Sequence, residues 1–141
     1  MKRTRLRHQS AKHRQRADEC RDIRAILIAK HGKCMICGHD PFHPRLDIPV
    51  ICWKLDAHEI ARGKNRSKAL GKPFATLIVC RLCHEEELSS AAKWPEARQL
   101  ALLKLQAPED YDLAAYNALV NPKALNRITE AEVDAELEGL K

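Results

Sequence analysis

Two Cys-x-x-Cys pairs, Cys34-Met-Ile-Cys37 and Cys80-Arg-Leu-Cys83, constrain this 141-residue chain more than any other feature. Thiolates two residues apart in a tight turn can both reach one ion, and two such turns supply the four sulfurs of a tetrahedral zinc site. With 42 residues between the pairs (38–79), a shared ion closes a long loop and pins distant segments together. Aromatic residues make up only 4% of the chain, so the core must be built mainly from Leu, Ile and Ala. A small core of that kind gains from a staple, because metal-binding free energy becomes folding free energy. Two disulfides or an iron–sulfur centre are the alternatives for the same residues. The spacing favours structural zinc held by Cys34, Cys37, Cys80 and Cys83. Cys20 falls on the apolar side of a helical stretch, and Cys52 lies beside Trp53 in a strand-like one. Both read as packing.

No apolar run approaches the ~20 residues that a membrane helix needs. The opening stretch "MKRTRLRHQSAKHRQR" lacks the apolar segment of a secretory signal. The expectation is a cytoplasmic protein with no membrane partner, in a compartment where thiols stay reduced. Charge is uneven. Residues 1–84 hold 19 Lys+Arg against 7 Asp+Glu, whereas residues 85–141 hold 6 against 12. A basic front half suggests a polyanionic partner. Residues 1–16 carry seven Lys/Arg and no acid, and read as a basic arm.

Local patterns alternate between helix and strand. "ADECRDIRAILIAKH" (17–31) places Cys20, Ile23, Ile26 and Leu27 at helical spacing, with Gly32 as its stop. "HDPFHPRLDIP" is a proline-punctuated loop. "VICWKLDAHEI" and "ATLIVC" read as two strands, separated by the basic loop "ARGKNRSKALGKP". "RLCHEEELSSAAK" turns helical. Three further helices follow in "PEARQLALLKLQ", "PEDYDLAAYNALV" and "TEAEVDAELEGL". The last opens on a capping box, Thr129 with Glu132. The fold class is α+β. The expected organisation is a basic arm and helix (1–31), a zinc-stapled strand-and-helix domain (32–92) and a helical C-terminal extension (93–141).

His84 directly follows Cys83, and Cys80 ends the strand expected to pair with the one leading to His58. One knuckle thus anchors a strand and a helix, and can bring two histidines around a second ion. His31, His39 and His43 lie near the first knuckle and are read as structural or exposed.

Cys-x-x-Cys, then acid-x-His-x-Ile, then Cys-x-x-Cys-His resembles the HNH nucleases, in particular their zinc-knuckle bacteriophage versions with a ββα-metal core. The pieces that carry the resemblance are "CMIC", "LDAHEIARGKNR" and "VCRLCH", over residues 34–90 or so. The resemblance implies a metal-dependent DNA endonuclease, a phosphodiester hydrolase serving phage DNA processing, recombination or packaging in the host cytoplasm. It implies a catalytic Mg²⁺ or Mn²⁺ beside the structural Zn²⁺, with His58 and His84 at the positions of the metal-binding histidines. Glu59 falls where the family places a second histidine, the general base. Two assignments stay open: Glu59 as base, or His58 as base with Asp56 or Glu59 on the metal. The family's middle Asn is replaced in "FATLIVC", where Thr76 can supply one hydrogen bond. Arg62, Lys64, Arg66 and Lys68 follow the strand and are expected to hold DNA phosphates. The alternatives are a non-catalytic zinc-stapled DNA-binding module, or a phage adaptor that docks partners on its acidic helices.

Overall fold

The computed structural model describes residues 10–42 and 54–141. Helix α1 spans Ala11–His31, so it begins well before the apolar pattern does. Ser10 caps it by accepting a hydrogen bond from the His13 N–H at 3.3 Å. Lys and Arg are good helix formers, which lets the second half of the expected basic arm wind into α1. The helix ends as expected at Gly32, whose left-handed φ of 65° lets its N–H reach the Ile28 carbonyl. Residues 1–9, the front of the basic arm, lie outside the described residues. So do 43–53, which carry His43, Cys52, Trp53, most of the proline loop and the start of the expected first strand.

Strand β1 (Leu55–Glu59) pairs antiparallel with β2 (Thr76–Cys80), in a register that sets Asp56 opposite Val79 and His58 opposite Leu77. The basic loop between them is partly ordered into a turn at Gly63–Asn65 and a short helix α2 (Arg66–Ala69). It packs back on α1. A side chain at Gly71 would meet Ile23 Cδ1 at 3.3 Å and Cys20 just beyond, so Cys20 does serve packing. Thr76 donates its hydroxyl to the Lys72 carbonyl at 2.8 Å, which holds the turn leading into β2.

Every residue of β2 is buried, because α1, α3 (Arg81–Glu86) and α4 (Glu96–Gln106) all pack against it. Burial on both sides explains why this strand reads as an unbroken apolar run. Pro95 stands at the N-cap of α4, one position earlier than the first-turn site expected for it. Helix α4 is buried from Gln99 through Leu103, since α6 (Glu130–Glu138) covers the side away from the sheet. Helix α5 (Leu113–Val120) starts later than its sequence pattern, where Asp112 accepts from the Ala115 N–H at 2.8 Å. The Thr129–Glu132 capping box opens α6 as expected.

The C-terminal helices share their core with the strands. Leu27 of α1, Leu77 and Ile78 of β2, Leu100 and Leu103 of α4, Tyr116 of α5 and Val133 of α6 belong to one buried cluster. Asn117 of α5 fastens the approach to α6. It donates to the Ile128 carbonyl at 2.7 Å and accepts from the Ile128 N–H at 3.0 Å.

Candidate functional site

The two knuckles meet as their spacing demands. The Met35 N–H binds the Ile78 carbonyl at 2.9 Å, so the first knuckle is stitched to β2. The second spans the end of β2 and the first turn of α3. As a result the sulfurs of Cys34, Cys37, Cys80 and Cys83 all lie within 4.8 Å of one another, and these residues could hold a zinc ion. The Cys37 and Cys80 sulfurs are 3.8 Å apart. A tetrahedron with Zn–S bonds of ≈ 2.3 Å has sulfurs separated by about 3.8 Å, so the spacing fits the ion. The Cys37 N–H also points at the Cys34 sulfur, 3.5 Å away. Three of the four are buried and Cys37 is exposed.

The electrostatics of the cluster call for a cation. A hydrogen bond from the Cys83 thiol pulls Cys34 down to about 4, while the same bond pushes Cys83 up. Burial pushes Cys37 up to about 11, and the Cys34 thiolate beside it adds to the rise. Four crowded sulfurs cannot all ionise alone, and a bound dication removes that penalty by making each one a thiolate ligand.

Beside the knuckle lies the histidine pair. Asp56 and His58 alternate onto one face of β1, and His84 sits on α3 one residue after Cys83. The rings of His58 and His84 meet edge to face, with centroids 5.0 Å apart. Asp56 Oδ2 lies 3.6 Å from His84 Nδ1 and 3.7 Å from the Arg81 guanidinium. Burial, and then the neighbouring His84, lower His58 to about 4, so its imidazole is neutral near pH 7. His58 Nδ1 is buried without a hydrogen-bond partner. The ligand atoms of Asp56, His58 and His84 do not converge within 4.8 Å as those of the cysteines do.

Glu59 corrects one expectation. It is not brought to the histidine pair, because the residue after His58 points to the opposite face of the strand. There its side chain is 1% exposed and paired with Arg24 of α1, and with Arg66 at 3.3 Å. An acid held by two guanidiniums is a structural counter-ion. The basic loop is also more committed than its sequence suggests. Arg66 serves Glu59, and half-buried Arg62 donates to the Trp94 carbonyl at 3.0 Å. Lys64 and Lys68 are exposed.

The other histidines divide. His39 is buried with neither ring nitrogen hydrogen-bonded, and it does not join the cysteine group. His31, Glu109 and Asp110 converge closely enough to suggest a metal. However, Lys30 already neutralises both acids, at 3.1 Å from Glu109 and 2.8 Å from Asp110. This group ties the end of α1 to the chain after α4.

Gln99 and Trp94 were not foreseen as site residues. Gln99 Oε1 lies 3.1 Å from His58 Nε2, and Gln99 Nε2 donates to the Trp94 carbonyl at 2.8 Å. Gln99 stands directly before the apolar run "LALLKL" and Gln106 directly after it, so the sequence alone gives no signal that singles out Gln99.

No family model, no curated protein and no solved structure matches this chain. Among the described residues, no helix is long and apolar enough to cross a membrane.

Proposed function

We propose that the chain is an HNH-type endonuclease that hydrolyses DNA phosphodiester bonds with a divalent metal, in phage DNA processing, recombination or packaging. The carrying observation is the approach of His58 to His84, one from β1 and the other from the residue beside zinc ligand Cys83. Asp56 and His84, 3.6 Å apart, are the groups that would hold Mg²⁺ or Mn²⁺, with His58 beside them as a third ligand or as the base. When bound, the ion polarises a phosphate oxygen and stabilises charge on the departing 3′ oxygen. The proton of the attacking water goes to His58 if Asp56 and His84 suffice as ligands. Lys64 and Lys68, exposed on the loop that follows β1, would hold phosphates of the DNA. Reduced thiols at the zinc ligands suit the host cytoplasm.

A zinc-stapled DNA-binding module without catalysis is the second reading. It is favoured by the engagement of Glu59, the residue at the family's base position, with Arg24 and Arg66. Supercoiled plasmid incubated with Mg²⁺ or Mn²⁺ separates the two. Nicking that needs metal and disappears in both His58→Ala and His84→Ala supports the nuclease. DNA binding without cleavage under either metal supports the module. Manganese binding by the variants then assigns His58: a His58→Ala protein that still takes up the ion but does not cut has lost a base, not a ligand.

A further inference from the structure

The Trp94 carbonyl is an acceptor only, and it settles the orientation of Gln99. The amide nitrogen of Gln99 must face that carbonyl at 2.8 Å, since the opposite orientation would set two oxygens against each other. Gln99 Oε1 therefore faces His58 Nε2 at 3.1 Å. An amide oxygen cannot donate, so His58 Nε2 must carry the hydrogen. A neutral imidazole has one N–H, and its lone pair then lies on Nδ1, the atom that is buried without a partner. Gln99 is 0% exposed, so solvent does not compete for either end of its amide. Arg62 donates to the same Trp94 carbonyl at 3.0 Å and secures the acceptor on which the arrangement depends.

We infer that Gln99 is the positioning residue of His58, holding the imidazole as its Nε2–H tautomer so that Nδ1 is presented to the divalent ion or to the water proton. This deepens the nuclease reading of His58 and rests on it. It also makes α4 part of the site, although α4 lies beyond the stretch (34–90) that carries the family resemblance. The Trp94 carbonyl can satisfy only the amide N–H of Gln99, so the buried amide oxygen needs a donor, and His58 Nε2 supplies it. The bond to His58 gives its second end a use at the site.

The test is ¹⁵N NMR of the histidine rings in the full-length, zinc-loaded chain at neutral pH. The unaltered protein is expected to show His58 as a single Nε2-protonated species. In Gln99→Met, which keeps the length and removes the amide oxygen, the two ring nitrogens should move toward averaged tautomer values. Gln99→Leu replaces it if the methionine variant does not fold, and the unaltered spectrum decides the first half by itself. An Nδ1-protonated His58 in the unaltered chain overturns the inference, as does a tautomer unchanged in the variant. Plasmid cleavage, read separately, should fall about 10–100-fold in the variant, the usual cost of losing a partner that orients a ligand. Tautomer behaviour as expected with no cleavage by the unaltered chain removes the nuclease and leaves the hold of Gln99 on His58. Cleavage with the wrong tautomer removes the role of Gln99 and leaves the nuclease.

Discussion

Arg24 of α1 and Glu59 of β1 form an ion pair across 35 residues of chain, and it is this pair that ties the N-terminal helix to the strand bearing His58. Glu59 is the buried member of the group, whereas the guanidiniums of Arg24 and Arg66 keep contact with solvent. Glu59→Gln therefore loses charge-assisted hydrogen bonds without stranding a buried charge, and is expected to lose about 1–2 kcal/mol of stability. Arg24→Ala should cost less, because Arg66 remains beside the carboxylate. Urea denaturation measures both. A Glu59→Gln protein of unchanged stability that has lost all cleavage would restore Glu59 to the role of base.

Zinc should be present at one ion per chain, and its removal by a chelator should unfold the protein rather than merely silence it. Cobalt substitution provides the check, because four thiolates in a tetrahedron give intense sulfur-to-metal and d–d bands. Cys80→Ser should weaken those bands and the folded state together. A chain that keeps its helical circular dichroism at full strength after exhaustive chelation would contradict the staple.

The basic loop should behave as two populations. Lys64→Gln and Lys68→Gln are expected to weaken DNA binding and to lower the salt dependence of log K by roughly 0.9 each, the signature of a lost phosphate contact. Arg62→Lys should leave that slope nearly unchanged and reduce cleavage instead, because its guanidinium is engaged with the Trp94 carbonyl behind His58. Fluorescence anisotropy across a salt series distinguishes the two behaviours.

Asn117 offers a test remote from the metal sites. Replacing it with Asp keeps the acceptor for the Ile128 N–H but removes the donor to the Ile128 carbonyl. A loss of about 1–3 kcal/mol is expected, the cost of a buried group left unpaired. Thermal unfolding of the variant should show it without any change in zinc content.

What could be read from the sequence depended on how far apart the interacting residues lie. The cysteine knuckles announce themselves because both ligands of each sit within four residues, and His84 is legible because it adjoins Cys83. The Gly32 stop and the Thr129 capping box are equally local. Helix α1 was read short because its cap, Ser10, precedes a basic stretch with no apolar periodicity to mark it. The pairing of Glu59 was not legible because its partner Arg24 lies on another element, and no pattern within β1 points there. Gln99 follows Glu96 and Arg98 in the polar start of α4, so nothing in the sequence marks it. Its meaning came from the packing of α4 against β2, which joins residues 41 positions apart.

Cys83 and His84 are consecutive in α3, so they share one short piece of backbone. Under the proposed reading the two metal sites are mechanically joined: whatever displaces Cys83 from the cysteine cluster also moves His84 relative to His58. Oxidation of a cluster thiol, most readily the exposed Cys37, would then be expected to disturb the histidine pair without touching either ring.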